Sequence, residues 1–155
     1  MSSGRTDTAT RAIAASPEEV YAALMDPDAL VRWLPPTGMR GRFERFEPHP
    51  GGSYRMVLSY TDRRSTAGKT TANSDVVEGR FVEIVAPTRI VQAVDFVSDD
   101  PEFAGTMTMT WTLTATDGGT RLDLRADNVP RGVTAADHAA GMSASLANLA
   151  GYLGA

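Results

Sequence analysis

A few side chains of this 155-residue chain combine reactive chemistry with a placement that could use it. His138 is the first, since an imidazole titrates near neutrality and can serve as acid, base or hydrogen-bond partner to a bound molecule. It stands one turn before Met142 on a stripe of residues spaced for one face of a helix. The competing role is a helix-start histidine bonded to backbone or water. Gln92 is the second, an amide flanked by Ile90 and Val94 on the apolar face of a strand. A buried amide must find hydrogen-bond partners, and a ligand carbonyl or hydroxyl could provide one; so could Tyr54 or His138. Tyr54 opens an alternating strand and brings a phenol to the same face. Asp95 falls on the opposite face, where it is expected to stay solvated.

Around these residues the standard catalytic arrangements are missing. The absence of Cys removes disulfides, a thiolate nucleophile and thiolate-bound metal. The two histidines, His49 and His138, are far apart in sequence, so no metal site is expected. No GxSxG elbow, P-loop or GxGxxG occurs. The carboxylate pairs Glu18-Glu19 and Asp99-Asp100 sit at a cap and a turn, which already explain them. No catalytic residue, metal or cofactor is therefore assigned. A net charge of -4 and a pI near 5.1 argue against a nucleic-acid partner. No apolar run approaches the ~20 residues that span a bilayer, so membrane insertion is not expected. MSSGRTDTAT lacks the apolar core of a signal peptide, which makes a cytoplasmic location the default.

The elements that must position these groups are legible in order. Residues 1–6 read as a disordered tail, and residues 7–155 as one domain. Asp7 to Ala14 reads as an edge strand. Ser16-Pro17-Glu18-Glu19 starts a helix with Ser as N-cap, Pro in the first turn and Glu three residues after the cap. Asp26-Pro27 repeats the device and leads a second short helix through Ala29, Leu30 and Trp33, ended by Pro35-Pro36. Phe43 and Phe46 suggest a short strand. Tyr54, Met56 and Leu58 alternate with polar or smaller neighbours, as do Ile90, Gln92, Val94 and Phe96, then Met107, Met109, Trp111 and Leu113, then Leu122, Leu124 and Ala126. Val76 to Val85 supplies a further strand, and the polar stretch from Thr61 to Asp75 an exposed hairpin loop that could act as a lid through Arg63, Arg64 and Lys69. Thr134 caps a long final helix to Leu153, with His138, Met142, Leu146, Leu149 and Leu153 along one stripe. Asp137 completes a variant of the capping box. The result is one α+β domain with a mostly antiparallel sheet, and only the last helix is long enough to cover it.

This order resembles the SRPBCC or START-like helix-grip superfamily, which includes StAR-related lipid-transfer domains, polyketide cyclases and pathogenesis-related plant allergens. Within it the chain is similar to the activator of 90-kDa heat-shock-protein ATPase homologue-like family. The resemblance is carried by Ser16-Pro17-Glu18-Glu19-Val20-Tyr21-Ala22-Ala23-Leu24, Asp26-Pro27-Asp28-Ala29-Leu30 and Trp33-Leu34-Pro35-Pro36. It continues through Pro50-Gly51-Gly52-Ser53-Tyr54-Arg55-Met56, Glu78-Gly79-Arg80-Phe81-Val82-Glu83-Ile84-Val85 and Pro87-Thr88-Arg89-Ile90-Val91. Gly118-Gly119-Thr120-Arg121-Leu122 and His138-Ala139-Ala140-Gly141-Met142 complete it. It implies a curved sheet wrapped around the C-terminal helix, with a pocket between them, and a shared cavity more than a shared chemistry.

The residues expected to meet a ligand there are Trp33, Tyr54, Met56, Leu58, Gln92 and Phe96, with Met107, Met109, Trp111, His138, Met142 and Leu146. Methionines suit varied apolar ligands, although they fill ordinary cores as readily. Trp33 is expected to act either as a gate at one end of the pocket or as a simple plug for the core. The expected partner is a small hydrophobic or amphipathic molecule. A cyclase- or hydrolase-like enzyme using His138 and Tyr54, and a chaperone-regulating interaction module, are the alternatives. The back of the helix (Ala140, Ser143, Ala144, Ala147, Gly151, Gly154) is small and uncharged. It is expected either to admit a second protomer, forming a homodimer, or to stand as an alanine-rich surface.

Overall fold

The computed structural model describes residues 4–36, 38–61, 71 and 73–154. Strands β1 (Arg5–Ile13), β2 (Met39–Phe46), β3 (Ser53–Tyr60), β4 (Ser74–Val85), β5 (Arg89–Val97), β6 (Met107–Thr116) and β7 (Gly119–Val129) form one antiparallel sheet in the order β1-β7-β6-β5-β4-β3-β2. Helices α1 (Pro17–Met25) and α2 (Pro27–Trp33) follow β1, and α3 (Ala135–Tyr152) ends the chain. β1 and β2 are adjacent to one another in the chain, apart from the short helices, yet occupy opposite edges of the sheet.

Local chemistry sets the helix starts. Ser16 accepts from the Glu19 amide at 3.2 Å while Glu19 Oε1 receives the Ser16 amide at 3.4 Å, a complete capping box. Asp26 caps α2 through the Asp28 amide, and Thr134 caps α3 through the Asp137 amide at 3.1 Å. The return bond expected from Asp137 is not formed, because an aspartate is one methylene shorter than the glutamate of the full box.

β1 differs from its expected bounds. It begins at Arg5, so Arg5 and Thr6 belong to the sheet and not to a tail, and it ends at Ile13. Thr6 pairs with Asp127 and Asp7 with Ala126, and a register shift between Arg5 and Thr6 accommodates the strand's start. The lid residues Arg63, Arg64 and Lys69 lie outside the described residues.

Strand pairing sorts the inner face into rungs. One runs Phe46, Tyr54, Gly79, Val94, Met107; the next runs Phe81, Gln92, Met109, Ala126, Asp7. Register shifts between Phe43 and Arg45 and between Phe81 and Glu83 mark bulges that bend the sheet. The core collects Leu122, Leu124, Val129, Leu146 and Leu149 under α3, all essentially inaccessible to solvent.

Candidate functional site

Between the sheet's inner face, α2 and the first half of α3 lies a cavity of about 260 Å³. Its wall is almost wholly apolar. Tyr54, Met56 and Leu58 of β3, Gln92 and Phe96 of β5, and Met107, Met109 and Trp111 of β6 all line it, facing His138 and Met142 of α3. Gly141 and Ser145 complete the helix's contribution, so positions 138, 141, 142 and 145 form one stripe toward the space. Gly141 is exposed as well as lining, which marks this side as open to solvent.

Two expected residues stand elsewhere. Trp33 is buried behind the wall: its indole N–H donates to the Ala23 carbonyl at 3.0 Å, and its ring meets Trp111 edge-on at 6.2 Å. With its donor satisfied by α1 and its ring against Trp111, it supports a lining residue without reaching the cavity. Leu146 is likewise part of the packed core beneath α3, since one further turn from Met142 carries it past the end of the cavity.

Several lining residues were not anticipated. Phe43 and Phe46 both face inward although residues three apart in a regular strand face opposite ways. The bulge between Phe43 and Arg45 restores them to one face, opposite Met56 and Tyr54. They cluster with Tyr54 and Phe81, with ring centroids 5.0–6.4 Å apart. Leu24, Leu30, Leu34 and Pro36 close the α1–α2 end.

Tyr54 owes its position to a missing side chain. It stands opposite Gly79, where a Cβ would lie 2.1 Å from the Tyr54 ring. The ring therefore lies flat over the glycine, and burial pushes its phenol pKa well above the ordinary value.

The polar groups are few and ordered. Trp111 Nε1 donates to Gln92 Oε1 at 3.1 Å, so Gln92's partner is neither Tyr54 nor His138. His138 Nδ1 lies 2.7 Å from Asp7 Oδ2, a pair separated by 131 positions in sequence. Asp7 also receives Arg5 Nε at 3.0 Å, and Arg5 reaches on to the Val133 carbonyl just before α3. Burial opposes the charge on Asp7, but the hydrogen bonds from Arg5 and His138 outweigh it and hold the carboxyl below its usual range. Asp95 remains exposed and accepts from Thr106 at 2.7 Å. Among the described residues no group of His, Asp or Glu side chains is arranged to hold a metal ion, and no helix is long and apolar enough to cross a membrane. The small residues on the back of α3 are exposed.

Residues 14–154 match the family described as activator of Hsp90 ATPase homolog 1-like protein. No curated protein matches the chain. Among solved structures, a Chromobacterium violaceum protein is 29% identical with a TM-score of 0.84, the alignment covering 94% of each chain. A Rhodobacter sphaeroides protein is 26% identical with a TM-score of 0.76, covering 99% of this chain and 94% of that one. The solution structure of an AHSA1-like protein from Aeromonas hydrophila shares the fold at 20% identity and a TM-score of 0.77, covering 97% and 92% of the two chains.

Proposed function

Because the chain belongs to the activator of Hsp90 ATPase homolog 1-like family, within the helix-grip fold, we propose that it binds a small, largely apolar molecule in the space between the sheet and α3. The observation that carries this reading is the 260 Å³ of unfilled, apolar-walled space inside a single domain. Protein interiors are close-packed. An apolar wall left facing solvent forgoes the packing contacts that the rest of the interior makes. A chain with no use for the space would gain by filling it, as a larger residue at a lining position such as Val77 would do.

The wall suits such a cargo. Met56, Met107, Met109 and Met142 supply adaptable thioethers, and Phe43, Phe46 and Trp111 supply flat surfaces for an aromatic or alicyclic body. Native mass spectrometry of the protein isolated from its own host tests the reading. A bound small molecule released on denaturation is expected; protein that is apo from the host and gains no mass with any apolar compound offered would refute it.

One observation favours a second reading, acid–base chemistry in the same space. The Asp7–His138 contact orients an imidazole beside a candidate substrate, as a general base requires. If so, His138→Ala abolishes turnover of a bound compound while leaving its binding in place. Loss of binding alone would support a carrier.

A further inference from the structure

The hydrogen bonds that hold Gln92 and His138 also fix what each offers to the cavity. Trp111 Nε1 is a donor only, so the Gln92 atom facing it must be the carbonyl oxygen, leaving the amide N–H groups for the cavity. Among the described residues that amide nitrogen has no protein acceptor, and Gln92 lines the cavity. At the other end, the Asp7 carboxylate, already receiving Arg5, is an acceptor. His138 Nδ1 must then carry the proton that meets it, and in the neutral ring Nε2 is left as a bare acceptor. No protein donor reaches Nε2 among the described residues, and no side-chain nitrogen or oxygen is both fully buried and unpartnered, so Nε2 keeps accessible surface.

The two groups share one rung of the sheet. Asp7, Ala126, Met109 and Gln92 pair across β1, β7, β6 and β5. Three strand spacings of about 4.8 Å place Asp7 and Gln92 about 14 Å apart along the sheet. His138 meets Asp7 at 2.7 Å, and Met109 of the same rung lines the space. Tyr54, whose phenol can donate or accept, does not discriminate between ligand groups.

We propose that the cavity takes a hydroxylated carbonyl compound: an apolar body whose hydroxyl donates to His138 Nε2 and whose carbonyl accepts from the Gln92 amide. Arg5 and Asp7 are positioning residues that fix the His138 tautomer, and Trp111 fixes the Gln92 amide. The assignment rests on the cavity-binding reading and adds polarity to it.

Four probes separate the two. These are 2-ethylnaphthalene, 6-ethyl-2-naphthol, 6-acetyl-2-naphthol and the methyl ether of the last, titrated by calorimetry. Saturable binding of 2-ethylnaphthalene supports the cavity reading alone; no binding by any probe sinks that reading and this assignment with it. The assignment predicts that 6-acetyl-2-naphthol binds about two- to twelvefold tighter than its methyl ether, and by a similar factor tighter than 6-ethyl-2-naphthol. His138→Phe, which keeps a ring but no nitrogen, removes the first preference. Gln92→Glu keeps the acceptor for Trp111 and removes the donors, so it abolishes or reverses the second. Equal affinities across the probes in the wild-type protein, or preferences that survive both variants, overturn the assignment. A measurement that needs no variant is the 15N spectrum of the two histidines at pH 7.5. In the neutral ring a proton on His138 Nδ1 with Nε2 bare is expected; the other tautomer overturns it.

Discussion

Gly79→Ala isolates the contact that gives the cavity its shape. The added Cβ would lie 2.1 Å from Cε2 and Cζ of Tyr54, where ordinary carbon contacts need roughly 3.5–4.0 Å. The ring must retreat by more than an ångström. Phe43, Phe46 and Phe81 box it at centroid distances of 6.1, 6.4 and 5.6 Å, so it can move only into the cavity. Overpacking of this kind costs about 1–3 kcal/mol, offset by about 0.4–1 kcal/mol from the lost freedom of glycine in the unfolded chain. A net loss of about 1–2 kcal/mol lowers Tm by roughly 2–8 °C in a chain of this length. Thermal unfolding followed by circular dichroism measures it in a four-protein cycle with Tyr54→Ala. Without the ring the three atoms nearest the new Cβ are gone, so Gly79→Ala becomes neutral or mildly stabilising, and the two sites couple by about 1–3 kcal/mol. A Gly79→Ala cost that is the same in both backgrounds would refute the reasoning, as would stabilisation in the wild-type background.

Other consequences follow from single contacts. Thr120 is fully buried and its hydroxyl donates to the Ala15 carbonyl at 2.7 Å, so Thr120→Val leaves that carbonyl unpaired and should cost about 1–3 kcal/mol in urea unfolding. Leu146→Ala, in packed core, should cost about 2–5 kcal/mol, and Leu58→Ala, partly buried and already bordering the cavity, distinctly less; equal costs would contradict the packing described. Asp7 has a folded-state pKa below its unfolded value, so its stabilisation is fully present above the unfolded pKa of about 3.9 and is lost as pH falls through the lower folded value. The Tm gap between the wild-type protein and Asp7→Asn is therefore widest above about pH 5 and narrows below about pH 4, and a gap that widens on acidification would count against the Arg5–Asp7–His138 arrangement.

What the sequence could and could not convey follows from the range of each signal. Ser16 and Glu19 announce α1 because a capping box is local, and Met107, Met109 and Trp111 announce an inner face because alternation is local. Those signals placed most of β3, β5 and β6 on the cavity wall. They could not place Phe43 and Phe46, because a bulge resets the alternation and leaves no mark of its own in composition. Nor could they reveal the partner of His138, which β1 delivers from the far edge of the sheet through the pairing of Asp7 with Ala126. The one local hint is the spacing of Arg5, Asp7 and Ala9 on a single strand face, which a strand starting at Asp7 does not contain in full. Trp33 leaves its two roles, gate and core plug, undecided for a different reason. Its position at the end of α2 was readable, but whether its indole met the cavity or the Ala23 carbonyl depended on how α1 and α2 pack.

The claim that the space between sheet and helix receives an apolar molecule has a direct test in the methionine methyl groups. Met56, Met107, Met109 and Met142 line the cavity, whereas Met25 and Met39 do not. In protein carrying 13C at the methionine methyls, titration with 2-ethylnaphthalene should shift the four cavity signals saturably and together, leaving those of Met25 and Met39 in place. If the four stay fixed while the compound is soluble and in excess, or if only Met25 and Met39 respond, the cavity is not a binding site.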